Sequence, residues 1–165
     1  MDQINISSII EKVTPIIENT CVKYGVIPIE ISLKKLGKNY LLQIFIYSNN
    51  NPITLDDCEK ISRNIDPFIE EIIDVNYFLE VSSPGLTRKI KSSKEYIIFK
   101  GKKILIKTKT NECFPNYTVE GKIVDFDENQ GVLISVLNEN KTEENLVRIK
   151  LEDIKSAQLI YEEKD

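Results

Sequence analysis

Histidine and tryptophan are absent from all 165 residues, and methionine occurs once. Without histidine the commonest general base and the commonest transition-metal ligand are missing. No Ser-His or Cys-His catalytic pair can form. Carboxylate, lysine or magnesium chemistry stays open but finds no motif. Cysteine is scarce: Cys21, Cys58 and Cys113 are odd in number and far apart. That pattern offers neither a disulfide framework nor a paired zinc site, and it suits a reducing compartment. Cys21 and Cys58 fall on apolar helix faces and read as core residues. Long apolar runs are missing, so no membrane span is expected. Met1-Asp2-Gln3-Ile4-Asn5 lacks a basic segment leading into an apolar one, so no signal peptide is expected. Six glycines and six prolines are too few for a low-complexity tract. The expectation is a non-enzymatic protein of a reducing compartment, without metal or cofactor.

What the chain does have is charge, unevenly placed. Residues 1–86 hold 7 Lys/Arg against 12 Asp/Glu. Residues 87–109 hold 9 against one, Glu95, and residues 110–165 hold 6 against 13. The net charge of −4 therefore hides a basic block between acidic flanks. Such a block suits a limited contact with a polyanion. A solvated charged face would have the same composition.

Apolar spacing predicts a helix over 4–24, kinked at Pro15 and ended at Gly25. Alternation then predicts a strand with Ile27, Ile29, Ile31 and Leu33 on one face, and a second over 40–47. Lys34-Lys35-Leu36-Gly37-Lys38-Asn39 joins them as a hairpin with a basic tip. Thr54 is placed to cap a second helix whose buried stripe is Leu55, Cys58, Ile61 and Ile65. Pro67 is expected to end or bend it. A third strand over 77–82 runs into Ser82-Ser83-Pro84-Gly85, where Pro-Gly predicts a turn with positive φ at Gly85. The fold class is α+β: an N-terminal α-β-β-α-β domain over 1–90, with two helices on one face of a small sheet. Residues 91–165 follow with a short helix and five short strands, a tight turn preceding the last. That pattern predicts an SH3-like or Sm-like β-barrel.

Residues 80–90 read Glu-Val-Ser-Ser-Pro-Gly-Leu-Thr-Arg-Lys-Ile. The stretch resembles the signature of the ribosome maturation factor RimP family, in which Val-Ser-Ser-Pro-Gly-Leu precedes an acidic residue, Arg and Pro. Ile53-Thr54-Leu55-Asp56-Asp57-Cys58 with Ile61-Ser62-Arg63 resembles the family's second helix. Two positions depart from the pattern, Thr87 for the acid and Lys89 for the proline, and both favour positive charge. The resemblance implies binding to the free small (30S) ribosomal subunit and its rRNA, and help with late assembly. It also implies contact with small-subunit ribosomal protein number twelve. A general RNA chaperone with an Sm-like barrel is the alternative.

The candidate rRNA-binding residues are Ser82, Ser83, Gly85, Arg88, Lys89, Lys91, Lys94, Lys102, Lys103 and Lys107. Hydroxyls, open backbone N–H groups and a guanidinium fork are all donors to phosphate. The two serines fit a purely local role at the strand end equally well. Arg88 is expected to be exposed and to reach phosphate. Alternation over 102–109 puts Ile104 and Ile106 on one face, and Leu105, Lys107 and Lys109 on the other. Tyr96 and Phe99 are spaced as core residues rather than stacking platforms. Asp125, Asp127, Glu128, Glu139, Glu143 and Glu144 make an acidic surface suited to a basic ribosomal protein.

Overall fold

The computed structural model describes residues 4–112, 114–137 and 140–162. Cys113 and Glu139 lie outside them. The chain divides into two compact units, Met1–Pro84 and Gly85–Asp165. The division falls earlier than the sequence reading near residue 90, and the reason lies in Arg88 to Ile90. The Ile90 N–H donates to the Ala157 carbonyl (2.8 Å), and the Leu159 N–H donates to the Arg88 carbonyl (2.9 Å). Lys89 forms an antiparallel bridge with Gln158. These residues therefore belong to the second unit's sheet.

The first unit runs α1 (Ile6–Lys23), β1 (Ile27–Leu36), β2 (Asn39–Tyr47), α2 (Leu55–Glu70) and β3 (Tyr77–Ser82). Asn5 caps α1 by accepting from the Ser8 N–H. The helix passes unbroken through Pro15. It closes as a Schellman motif: Gly25, at φ +68°, donates to Val22, and Val26 donates to Cys21. Cys21 is fully buried, and burial, then the nearby Glu18, pushes its thiol up to about 11. It is packing material, not a nucleophile.

The sheet order is β1-β2-β3, antiparallel between β1 and β2 and parallel between β2 and β3. A parallel neighbour needs a crossover, which α2 supplies. Val13, Ile17 and Cys21 of α1 and Ile61, Ile65 and Ile69 of α2 bury against Leu33, Leu42, Ile44 and Ile46. The strict alternation expected for β1 fails at its start. The register shifts between Pro28 and Glu30, so Ile31 and Leu33 pair with core residues while Ile27 pairs with Tyr47 on the opposite face. The bulge at Ile29 breaks the period of two.

Helix α2 also runs through its proline, Pro67, and ends at Glu70. Its N-terminus is a capping box. The Asp57 N–H donates to Thr54 Oγ1 (3.2 Å), and Asp57 Oδ2 accepts from the Thr54 N–H and hydroxyl (2.8 Å each). These bonds hold the Asp57 carboxyl below its ordinary range. Leu55, expected in the buried stripe, is 90% exposed, because the stripe begins with Cys58 and Ile61. Thr54→Ala is expected to destabilise the first unit by about 1 kcal/mol at neutral pH. The depressed aspartate stabilises above its unfolded-state pKa, and that contribution disappears as pH falls through the folded value. Urea unfolding at several pH values checks this: the gap between wild type and variant narrows in acid.

The second unit runs α3 (Lys94–Ile98), β4 (Lys103–Thr108), β5 (Thr118–Asp127), β6 (Gly131–Leu137), β7 (Glu144–Ile149), a 3-10 turn (Leu151–Asp153) and β8 (Ile154–Leu159). All pairings are antiparallel, in the order β7-β6-β5-β4-β8. The sheet is open: β7 and β8 share no ladder among the described residues. Ile104, Ile106, Ile123, Val132, Ile134, Ala157 and Leu159 line its buried face. Tyr96 of α3 and Phe99 at its C-cap are buried too, and Tyr96 stacks on Phe126 at 5.5 Å between ring centroids. Burial and the adjacent Glu95 push the Tyr96 hydroxyl up to about 12. Both aromatics are core residues and offer no platform for bases.

Candidate nucleic-acid interface

The motif turn differs from its sequence expectation. Gly85 is not among the positive-φ residues, and the Arg88 N–H donates to the Gly85 carbonyl (3.1 Å). The reversal is therefore centred on Leu86-Thr87, one step after Pro-Gly. Ser82 ends β3 half-buried and Ser83 is exposed. Neither hydroxyl bonds to another described residue, so the local capping role is not taken up. A side chain at Gly85 would meet open space.

Arg88 corrects the reading of an exposed phosphate contact. Its side chain is only 6% exposed and its Nε donates to Glu95 Oε1, whose side chain is 1% exposed. Glu95 Oε2 also accepts from the Lys91 N–H (2.9 Å) and the Ser92 N–H (2.8 Å). One carboxylate thus holds a guanidinium and two backbone donors at the entry to α3. A buried charge persists only where such partners replace water. Sequence reasoning missed Glu95, although two signals pointed to it. It is the lone acid of the basic block, and Ser92-x-x-Glu95 has the spacing of a capping box.

Around this clamp the lysines face solvent. Lys89, Lys91 and Lys94 are exposed, as are Lys102 and Lys107, and Lys103 is half-buried. Strand pairing shows which of them share a face. Lys89 lies across Gln158, Gln158 across Leu105, and Leu105 across Glu120. In the neighbouring positions Lys103 faces Lys122, and Lys107 faces Ser156 and Thr118. Lys89, Lys103, Lys107 and Lys122 therefore occupy the outward face of one sheet. Lys91 and Lys94 lie off the sheet, Lys91 before α3 and Lys94 at its first position.

Several acidic residues have partners within the second unit. Asp125 pairs with Lys100 (2.7 Å), and that hydrogen bond leads the effects that lower its pKa. Glu120 stands 3.9 Å from Lys103. Glu144 accepts from the Ser135 hydroxyl (3.0 Å). With Lys103, Glu120, Lys122, Ser135 and Leu137 it lines a cavity of about 380 Å³ on the outward face. Asp127 caps its own turn by accepting from the Asn129 and Gln130 N–H groups. Glu128 and Glu143 are exposed. Glu144, expected to meet a protein, thus shares that cavity with Lys103, expected to meet RNA. No group of carboxylates and thiols among the described residues could hold a metal ion, and no helix is long and apolar enough to cross a membrane.

Among solved structures the chain is similar to the C-terminal domain of the magnetosome protein MamB of Desulfamplus magnetovallimortis BW-1. Identity is 22% over 47% of this chain and 96% of that one, with a TM-score of 0.37, a likeness too slight to carry fold or function. Residues 16–87 match the family model described as the RimP N-terminal domain. That span takes in the capped helix, all three strands of the first sheet, and the Ser82-to-Leu86 turn. Residues 16–87 of this chain are thus similar to the RimP N-terminal domain.

Proposed function

We propose that the protein is a ribosome maturation factor that binds the free small (30S) subunit and assists its late assembly. The observation that carries this reading is the RimP N-terminal domain over residues 16–87. The sheet order β7-β6-β5-β4-β8, with a 3-10 turn before the last strand, supports an SH3-like second domain. In this reading Lys89, Lys91, Lys94, Lys102, Lys103 and Lys107 meet the rRNA backbone, with Ser82, Ser83 and Gly85 as a further donor group. Arg88 acts from inside, by fixing the segment that carries Lys89 and Lys91. Exposed acids at Glu128, Glu143 and Glu144 serve a basic ribosomal protein, the small-subunit protein number twelve. The factor works as a cytoplasmic monomer without cofactor or catalysis.

The test is co-sedimentation. The protein is expected to travel with free small subunits and to be absent from mature ribosomes. Equal binding to both, or binding to neither, overturns the proposal.

A further inference from the structure

The first unit carries net negative charge, yet its β1–β2 hairpin ends in three lysines. Lys34, Lys35 and Lys38 are exposed, and none has an ion-pair partner among the described residues. The unit's α2 cations differ: Lys60 pairs with Asp56 (2.7 Å) and Arg63 with Glu59. The tip is built to stand away from the core. Leu33 is the last buried residue of β1, and Leu36 pairs with Asn39 to close the hairpin. Four residues of strand rise separate Leu33 from Gly37, roughly 13 Å. Gly37 takes φ +63°, and a side chain there would meet open space. Its backbone is therefore approachable from outside. Lys34 and Lys35 alternate across the strand, so the tip is cationic on both sides.

We propose that this hairpin tip is a second nucleic-acid contact, gripping the RNA phosphate backbone through Lys34, Lys35 and Lys38. The inference rests on the RNA-binding reading above and adds a site in the other unit. Twelve acids elsewhere in residues 1–86 repel a polyanion, and the tip, with three lysines within five residues, is the first unit's densest cationic group. The contact reads backbone and not sequence, because lysine is a point charge without a fixed fork.

The experiment measures binding of the full chain to purified small-subunit rRNA between 50 and 200 mM salt. Four proteins are compared: wild type, Lys34→Ala/Lys35→Ala/Lys38→Ala, Lys89→Ala/Lys91→Ala/Lys94→Ala, and Lys12→Ala/Lys23→Ala as a charge control on α1. Each phosphate contact contributes about −0.7 to −0.9 to the slope of log affinity against log salt. The hairpin variant is expected to lose about 2 to 2.7 of slope, so wild-type affinity falls roughly 20–40-fold more than the variant's across that range. The α1 control should keep the wild-type slope. A hairpin variant with wild-type slope, beside a Lys89/Lys91/Lys94 variant whose slope falls, overturns the hairpin and spares the RNA reading. Unchanged slopes in both overturn both. An equal fall in the α1 control reduces the effect to net charge and overturns the site. Unchanged rRNA binding with weakened binding to whole subunits assigns the tip to an acidic protein surface instead.

Discussion

Glu95→Ala is expected to bring the second unit to the edge of unfolding. The substitution removes the carboxylate that pairs with the Arg88 guanidinium, whose side chain is 6% exposed, and that accepts from the Lys91 and Ser92 N–H groups. Breaking a buried pair by removing one partner costs about 3–5 kcal/mol, because the remaining charge stays out of water with less to compensate it. A unit of about 80 residues has roughly 4–12 kcal/mol in all. Residue-resolved hydrogen exchange separates this unit from the first. Amides of β4, β5 and β8 should exchange on a global opening, while Leu42 and Ile44 in the first unit keep their protection. The double substitution Arg88→Met/Glu95→Gln is expected to recover about half of the loss. It removes the buried charge and keeps an acceptor for the two N–H groups. Full stability in Glu95→Ala would mean that the pair is solvated in solution.

Gly131→Ala is the second large effect, through a different cause. Gly131 opens β6 at φ +90°, and a Cβ there would lie 2.0 Å from the Ile149 carbonyl oxygen and 2.8 Å from the Lys150 Cα. Both are backbone atoms of β7 and its exit, so no side chain can swing aside. The dihedral alone costs about 1–2 kcal/mol and the forced overpacking about 1–3 more. The expected loss is about 2–5 kcal/mol, confined to the second unit. Gly37→Ala is the matched control, with φ +63° but nothing within 4 Å of its Cβ. It should lose only the dihedral part. Thermal unfolding of the two variants thus isolates the clash.

Much of this fold was legible because its signals are local. Thr54 announces a helix start, and Gly25 after Tyr24 announces a helix end. The failures have local causes as well. Ile29 is a bulge residue, and nothing in Ile27-Pro28-Ile29 says where the register slips. Leu55 counts as apolar in any periodic scan but sits at the first position of its helix, before the buried stripe begins. Pro15 and Pro67 were expected to disturb their helices, and packing of the flanking isoleucines carries both through. The interface was harder to read than the fold. Exposure of a lysine follows from composition, so Lys89 and Lys107 were easy. Arg88 was not, because its fate depends on one carboxylate seven positions away. The mixing of acids and lysines on one sheet face depends on β5, which inserts Glu120 and Asp125 beside β4 and α3. A linear charge tally cannot register that pairing.

The strap formed by Arg88 to Ile90 has a consequence for how the chain tolerates being cut. An uncovered strand at the rim of a sheet is a template for other chains. In the intact protein that rim of β8 is occupied by the segment that leads into the unit. A nick at the exposed Leu86-Thr87 leaves the strap in place, and Glu95 still anchors it. A fragment beginning after Ile90 loses the strap, the guanidinium and the rim's cover together. Its β8 edge then lies open to recruit a stranger's strand, so solubility of the isolated second unit hinges on three residues that a boundary drawn at 90 would discard.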